Sequence, residues 1–174
     1  HNGQVPGRVY MSGLDAAGTL RSSGSTSTPG HWILRSFVAD GVGGAWIEAA
    51  KFGTPVTHQL YHFDPSGQIL ARAGVTIVSS NPDQFVGLAT DTDGTAFAVW
   101  SSQATNAMVG QHYGTDLSAL WSAPVTCGTG PGWMQDAVAV SDGRGGVIAV
   151  WRDNRNGNLD LYAARLDAFG ALGD

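Results

Sequence analysis

The segment that decides the fold is Asp142-Gly-Arg-Gly-Gly-Val-Ile-Ala-Val-Trp151, a glycine-rich turn that leads into an apolar strand pattern. The same arrangement begins at Asp40 and at Asp91, so the three turn aspartates are 51 residues apart. Trp100 and Trp151 keep the same spacing. A fixed period near 50 residues predicts a propeller or a solenoid, in which each unit buries its apolar faces against its neighbours.

Each unit contains segments rich in Val, Ile, Phe and Trp that are separated by Gly/Asp turns, which is typical of antiparallel strands joined by tight hairpins. Two strands flank the repeated aspartate turn, and a third follows, as in Leu159-Asp-Leu-Tyr-Ala-Ala-Arg-Leu166. A second turn such as Asp64-Pro-Ser-Gly67 then leads to a more polar fourth strand. We therefore predict an all-β fold: a β-propeller segment of four-stranded antiparallel blades, about three and a half blades long, that forms an incomplete ring.

The repeat also sets boundaries within a single propeller region, 1–174. The prediction places the end of a blade and a loop at 8–28, blades at 29–80 and 81–130, and an incomplete blade at 131–174. The low-complexity stretch Arg21-Ser-Ser-Gly-Ser-Thr-Ser-Thr28 is predicted to be a flexible loop between strands. Because an open propeller leaves unpaired faces and edges, additional blades or other copies of the chain are expected to close the ring.

Composition excludes several classes of function. A net charge of −5 and a pI near 5.3 argue against a nucleic-acid partner, which would require a basic surface. No apolar run approaches the length needed to cross a bilayer, so no membrane insertion is expected. Cys127 is the only cysteine, which excludes an intrachain disulfide and a cysteine-based zinc site, and it lacks a motif partner as a nucleophile.

The third unit resembles the WD40-like propeller repeats of TolB-type proteins. The resemblance is carried by Ser141 through Tyr162 and by Arg165-Leu-Asp-Ala-Phe-Gly170: a strand, an Asp-x-Arg-x-Gly-Asn turn, an Asp-x-Tyr strand and an Asp-x-x-Gly turn. The sequence is more similar still to the long-period version of this repeat in secreted or cell-surface bacterial proteins. The first unit has Ala49 where the repeat has Trp, and the second lacks the Asp-x-Arg turn. The resemblance implies a propeller scaffold, a secreted or cell-surface location and a binding role, and its motif carries no catalytic residue.

Candidate binding residues lie in loops that a propeller gathers on one face, where Trp and His occur beside Asp and Arg. An aromatic ring can cover the apolar side of a sugar while planar polar groups bind its hydroxyls. On this basis the predicted ligand-binding residues are His31, Trp32, Asp83, Trp133, Asp153 and Arg155.

Structural interpretations of the same residues are favoured over the functional ones. Trp32 and Trp133 would wedge between blades, and Trp100 and Trp151 would belong to the core between blades. Asp153, Arg155 and Asp160 would form an ion-paired turn.

No catalytic residue, metal ligand or cofactor is predicted. Asp91-Thr-Asp-Gly94 resembles half of a calcium loop, but apolar residues replace the remaining ligands. His58 and His62 are four residues apart. On a strand this spacing separates them by about 13 Å, too far to share a metal, and they are expected at the surface or beside loops.

The leading hypothesis is an extracellular, non-catalytic binding or structural propeller module for glycan or protein ligands, so an enzyme is not favoured. One alternative is part of a catalytic propeller such as a sialidase-like glycosidase. Another is a structural subunit that assembles through shared blades.

Overall fold

The computed structural model describes residues 7–14, 17–28, 32–51, 56–70, 75–79, 86–102 and 104–173. Throughout these ranges the chain forms strands and turns, with no helix. The strands, in chain order, are β1 (Gly7–Leu14), β2 (Leu20–Thr28), β3 (Trp32–Ala39), β4 (Ala45–Lys51), β5 (Val56–Phe63), β6 (Val75–Ser79), β7 (Gly87–Thr90), β8 (Ala96–Ser102), β9 (Ala107–Tyr113), β10 (Val125–Thr129), β11 (Met134–Ser141), β12 (Val147–Asp153) and β13 (Asp160–Leu166).

The strands form four antiparallel sheets in which every strand pairs with its neighbour in sequence. The sheets are β1-β2, β3-β4-β5-β6, β7-β8-β9-β10 and β11-β12-β13, and none of them is closed. We call the last three sheets, with their turns, the first, second and third units. The all-β prediction is confirmed, and each unit contains the predicted succession of strands.

Aspartate side chains close the repeated turns. Asp40 Oδ1 accepts the amide hydrogens of Val42 (2.9 Å) and Gly44 (2.7 Å) in the turn between β3 and β4. Asp142 Oδ1 does the same for the amides two and four residues further on, at 2.8 and 2.9 Å. This side-chain bonding to a tight turn explains why aspartate recurs with the period of the repeat. In the second unit Asp93 takes over part of this role, because its Oδ1 accepts the Thr95 amide at 3.0 Å.

Apolar side chains pack between neighbouring sheets rather than in one central core. At the first joint, between the first and second units, Trp46 and Leu60 pack with Val109 and Trp100. At the second joint, between the second and third units, Phe97 and Met108 lie in one cluster with Trp151. Both Trp100 and Trp151 are therefore buried between sheets, as the repeat predicts. The second sheet therefore contributes one face to the first joint and its other face to the second joint.

The face of the first unit that points away from the second unit packs against β1. Ile47, Ala49 and Phe63 form a smaller cluster there, and Met11 of β1 packs against it. The two-stranded sheet β1-β2 thus covers the face that, in the second and third units, is covered by the preceding unit.

The first strands of the three units, β3, β7 and β11, lie side by side. β7 and β11 approach so closely at Gly87 that a Cβ atom there would lie 2.9 Å from the Val138 carbonyl carbon and 3.0 Å from the Ala137 oxygen. These contacts are backbone atoms, which cannot rotate aside as a flexible side chain can. Glycine at position 87 is therefore required by the close approach of two strands.

Two sequence predictions about local structure are wrong. The segment Arg21–Thr28, expected as a flexible loop, lies in β2 and pairs with β1 from Gly7↔Thr28 to Leu14↔Leu20. The backbone ladder with β1 holds this segment, and its Ser/Thr-rich composition gave no apolar alternation by which a strand could be recognised.

The histidines of β5 are also not at the surface, although His62 does lie beside turns, as the alternative prediction had it. His58 is 0% and His62 1% exposed. Each is buried because a carboxylate accompanies it: His58 Nδ1 lies 2.7 Å from Glu48 Oε1, and His62 Nε2 lies 2.9 Å from Asp40 Oδ2. The partners come from the neighbouring strand and its turn, which the spacing of histidines alone does not reveal.

Replacing Gly87 by Ala should separate β7 from β11. The added Cβ would meet the β11 backbone at about 3 Å, and such overpacking typically costs about 1–3 kcal/mol. Urea denaturation of G87A should show a free energy of unfolding lower by that amount. The matched control, A163V, adds bulk at an exposed position of β13 and should change stability by less than about 0.5 kcal/mol. Wild-type stability of G87A would contradict the packing described here.

Candidate functional site

The first strands enclose an open groove of about 420 Å³, which we call the first-strand groove. It is lined by Arg35, Ser36, Val86, Gly87, Leu88, Asp136, Ala137, Val138 and Ala139. These positions are related by the repeat: Arg35, Val86 and Ala137 are 51 residues apart, as are Ser36, Gly87 and Val138. Three equivalent strands therefore contribute equivalent positions to one groove, which has the size of a small-molecule site.

The groove is apolar along β7 and polar at its two outer walls. Arg35 and Ser36 contribute polar groups from β3, and Asp136 contributes a carboxylate from β11. Asp136 lies at an irregularity in the β11–β12 register and has φ 54°, a left-handed conformation that is uncommon for a residue other than glycine. Its carboxylate forms an ion pair with Arg152 of β12. The bulge thus places a charged residue beside the three apolar residues, Ala137, Val138 and Ala139, with which β11 lines the groove.

Beside the groove, two loops of the third unit lie directly on one another. The loop before β11 contains Gly132, where a Cβ would lie 2.3 Å from Asn154 Oδ1 and 2.7 Å from the Arg155 amide nitrogen. Only glycine permits this contact between the loop and the β12–β13 turn. The amide of Asn106, in the β8–β9 turn, donates to the Gly130 carbonyl at 2.9 Å and joins the second unit to the same end of the sheets.

Trp133 projects from this stacked pair of loops. Its side chain is 74% exposed, although its backbone is fixed, since its amide donates to Asn154 Oδ1 at 2.6 Å. The Asn154 amide donates back to the Trp133 carbonyl at 3.4 Å. A large aromatic ring on a clamped backbone is exposed here instead of being packed.

Arg155 and Tyr162 form a stacked pair next to Trp133. The guanidinium carbon lies 4.0 Å from the centre of the Tyr162 ring. Arg155 Nε donates to Asp153 Oδ2 at 2.8 Å, and the Arg155 amide donates to Asp153 Oδ1 at 2.8 Å. Asn156 Nδ2 donates to the Tyr162 hydroxyl at 2.8 Å. We call this arrangement, with Trp133 and Asn154, the Trp133 surface.

In the ion pair beneath the Trp133 surface, Asp153 and Arg155 stabilise each other's charged form. Burial alone would raise the pKa of Asp153, but the hydrogen bonds from the Arg155 side chain and amide and the guanidinium charge outweigh it and lower that pKa. The hydrogen bond to Asp153 raises the pKa of Arg155 in turn, against the smaller effect of burial. The carboxylate is therefore ionised and committed to Arg155, which makes it a structural group and not a general acid.

The structure brings together three of the six residues predicted from sequence: Trp133, Asp153 and Arg155. Trp32 is half-buried at the start of β3 and packs against the Ile47 cluster, in keeping with a wedge between sheets. His31 and Asp83 lie outside the described residues. The favoured interpretation of Trp133 as a wedge is wrong, because its ring is exposed. The ion-paired interpretation is confirmed for Asp153 with Arg155, while Asp160 is exposed at the start of β13.

Sequence reasoning missed Asn154, Tyr162 and Asp136 as members of the site. Tyr162 could have been found from the register of the β12–β13 hairpin. Asp153 pairs with Asp160, and two positions further along the ladder Trp151 pairs with Tyr162. Asp136 could not have been identified from the sequence, because its orientation depends on a β-bulge that no sequence motif predicts.

The two aspartates of the calcium-like turn are occupied by hydrogen bonds within that turn. In the calcium-like turn, Asp91 Oδ1 accepts the Thr92 amide at 2.8 Å, and Asp93 Oδ1 accepts the Thr95 hydroxyl at 2.6 Å. Within the described ranges, no three His, Cys, Asp or Glu side chains are grouped so that they could hold a metal ion.

Cys127 should be unreactive in the folded protein. Its side chain is buried at the second joint, and burial raises the pKa of its thiol to about 12. Since the thiolate is the nucleophile, treatment with a disulfide reagent at mildly alkaline pH should modify almost no native protein. One equivalent should react once the chain is unfolded in guanidinium. Rapid modification without denaturant would contradict this burial.

No protein-family model matches the chain, and no curated protein matches its sequence. Over the described residues, no helix has the length and apolar character that crossing a membrane requires. Inferences about function accordingly depend on the residues and contacts of the groove and the Trp133 surface.

Proposed function

We propose that this chain is a non-catalytic binding module, built from blades of a β-propeller, that binds a glycan at the Trp133 surface. The sequential order of strands in every sheet and the face-to-face packing of successive units support the propeller interpretation. Equivalent positions of the first strands line one groove, as the strands around a propeller axis would. The extracellular location belongs to the same proposal and follows from the resemblance to long-period secreted repeats.

The observation that carries the proposal is the exposed Trp133 ring on its clamped backbone. An exposed tryptophan can stack on the apolar face of a sugar with little loss of entropy, because its backbone is already fixed. Asn154 Oδ1 and Asn156 Nδ2 hold the loops in place, and Arg155 holds them through Asp153. Asn154 Nδ2 and Asn156 Oδ1, which these bonds do not use, are a donor and an acceptor that suit sugar hydroxyls.

The glycosidase alternative is less well supported. A site for a substrate carboxylate needs arginines that are available to it, and three of the chain's arginines are engaged with aspartates. These ion pairs are Arg152–Asp136, Arg155–Asp153 and Arg165–Asp142. The binding proposal uses the same residues as a framework and needs no reacting group.

Glycan binding should depend on Trp133. We expect W133A to lose binding about tenfold or more on a glycan array and in calorimetry with the best-bound glycan, because the stacking surface is removed. F169A, which removes an aromatic ring that is 89% exposed on a different turn, is the matched control and should bind like wild type. Equal binding by W133A, or no glycan bound by the wild type, would contradict the proposal.

A second candidate function, a subunit that assembles through its sheets, is favoured by one observation. The outer face of the third unit presents exposed apolar side chains, with Val140 at 58% and Leu161 at 75%. Ile148 on this face occupies the position held by Trp46 and Phe97 in the other units, where the next unit covers it. A second copy of the chain could cover this face in the same way.

Self-association through this face should be sensitive to charge. Sedimentation velocity should show concentration-dependent dimers of the wild type, and V140E/L161E should be monomeric because burying two carboxylates opposes sheet packing. F169E places a charge on an exposed aromatic position outside this face and should still dimerise. A wild-type chain that stays monomeric at high concentration would exclude this candidate.

A further inference from the structure

One position of the third strand contacts the first turn in every unit. His62 Nε2 lies 2.9 Å from Asp40 Oδ2, and Arg165 Nε donates to Asp142 Oδ2 at 2.7 Å. In the second unit, His112 Nε2 lies 2.9 Å from the Thr95 hydroxyl. We call this the latch position, since it ties the third strand to the turn between the first two.

His62 has an acceptor at each ring nitrogen. Its Nδ1 lies 2.8 Å from the Thr115 carbonyl oxygen of the second unit, and its Nε2 faces the Asp40 carboxylate. A carbonyl oxygen carries no hydrogen. Burial raises the pKa of Asp40, but the hydrogen bonds from His62 and from the Val42 and Gly44 amides outweigh that effect and lower the pKa, so Asp40 is ionised at neutral pH. Both nitrogens must therefore donate, which only the imidazolium form can do.

The surroundings of His62 suit a cation. The Trp46 indole stacks on its ring, with centroids 4.5 Å apart and planes 9° apart. A cation gains from the face of an aromatic ring in a buried site. The charged groups of its own unit are Asp40 and Asp64 in the turns, and Glu48 of β4 paired with His58 of β5. In the second unit, Asp93 and Asp116 are next in sequence to Gly94 and Thr115, whose carbonyl groups accept from Trp46 and His62.

His112 at the same latch position is a contrasting neutral histidine. Its Nε2 donates to the Thr95 hydroxyl, whose own hydrogen goes to Asp93 at 2.6 Å. Burial lowers the pKa of His112, although Asp93 and Asp91 oppose that effect. A single N–H donor on His112 satisfies the Thr95 hydroxyl, so His112 does not need a proton on its other ring nitrogen.

We propose that His62 is a doubly protonated latch that locks the first unit onto the second. The proton on Nδ1 reaches across the joint to Thr115, while the proton on Nε2 holds Asp40. Removing one proton leaves either the Thr115 carbonyl or the buried Asp40 carboxylate without its donor. Both protons are therefore required to satisfy the two acceptors at this joint. At the second joint the latch residue is His112, which needs one donor only, and Arg165 of the third unit is a permanent cation at the same position of the repeat.

The direct test is the protonation of the His62 ring, measured by long-range ¹H–¹⁵N NMR on the wild-type chain at neutral pH. We expect both His62 nitrogens to be protonated and one His112 nitrogen to be unprotonated, with H62Q used to assign the signals. An unprotonated nitrogen on His62 at neutral pH would overturn the proposal.

A second measurement tests how much His62 contributes to the stability of the chain. At neutral pH the urea midpoint of the wild type should exceed that of H62Q, because glutamine brings no positive charge to Asp40. H62R copies the permanent cation of the third unit and should keep more of the wild-type midpoint than H62Q does. A wild-type midpoint no higher than that of H62Q would overturn the proposal, and this comparison holds even if H62R does not fold.

Discussion

The interaction on which the rest of this structure depends is an indole hydrogen bond across each joint between units. Trp46 Nε1 donates to the Gly94 carbonyl of the second unit, and Trp121 Nε1 donates to the Ala168 carbonyl of the third, each at 2.9 Å. Each ring also fills the apolar space between two sheets. A buried indole requires an acceptor, so each bond fixes which turn of the next unit lies above it. Apolar packing supplies the attraction between sheets, and these two bonds set their register.

The two ends of the sheets therefore have different roles. At the end with the repeated aspartate turns, the contacts are tight and internally satisfied: aspartates bind turn amides, and latch residues bind turn side chains. At the other end, the loops stack around Gly132 and leave the Trp133 ring in solvent. A rigid end that fixes the first strands and an open end that presents polar and aromatic groups is a usual division of labour between scaffold and loops. The first-strand groove connects them, because it is formed by strands that begin at the open end.

The sequence predicted the features that repeat and missed those that occur once. The period of Asp40, Asp91 and Asp142 identified the strands, the turns and the burial of Trp100 and Trp151, because each depends on local turn chemistry and alternation. The exposure of Trp133 could not be predicted, since it depends on the contact of Gly132 with Asn154, which are distant in sequence. Leu117 illustrates the same limit: it has φ 68° where the other units place Gly67 and Gly170, and tertiary packing overrides the residue preference of the turn.

Hydrogen exchange of the tryptophan indole N–H groups tests the account most directly. The indoles of Trp46 and Trp121 should exchange as slowly as the amides of the central strands, because both are buried and bonded across a joint. The Trp133 indole, on a side chain that is 74% exposed, should exchange at the rate of a solvated group. If Trp46 and Trp121 exchange as fast as Trp133, the units do not pack through these joints and the account is contradicted.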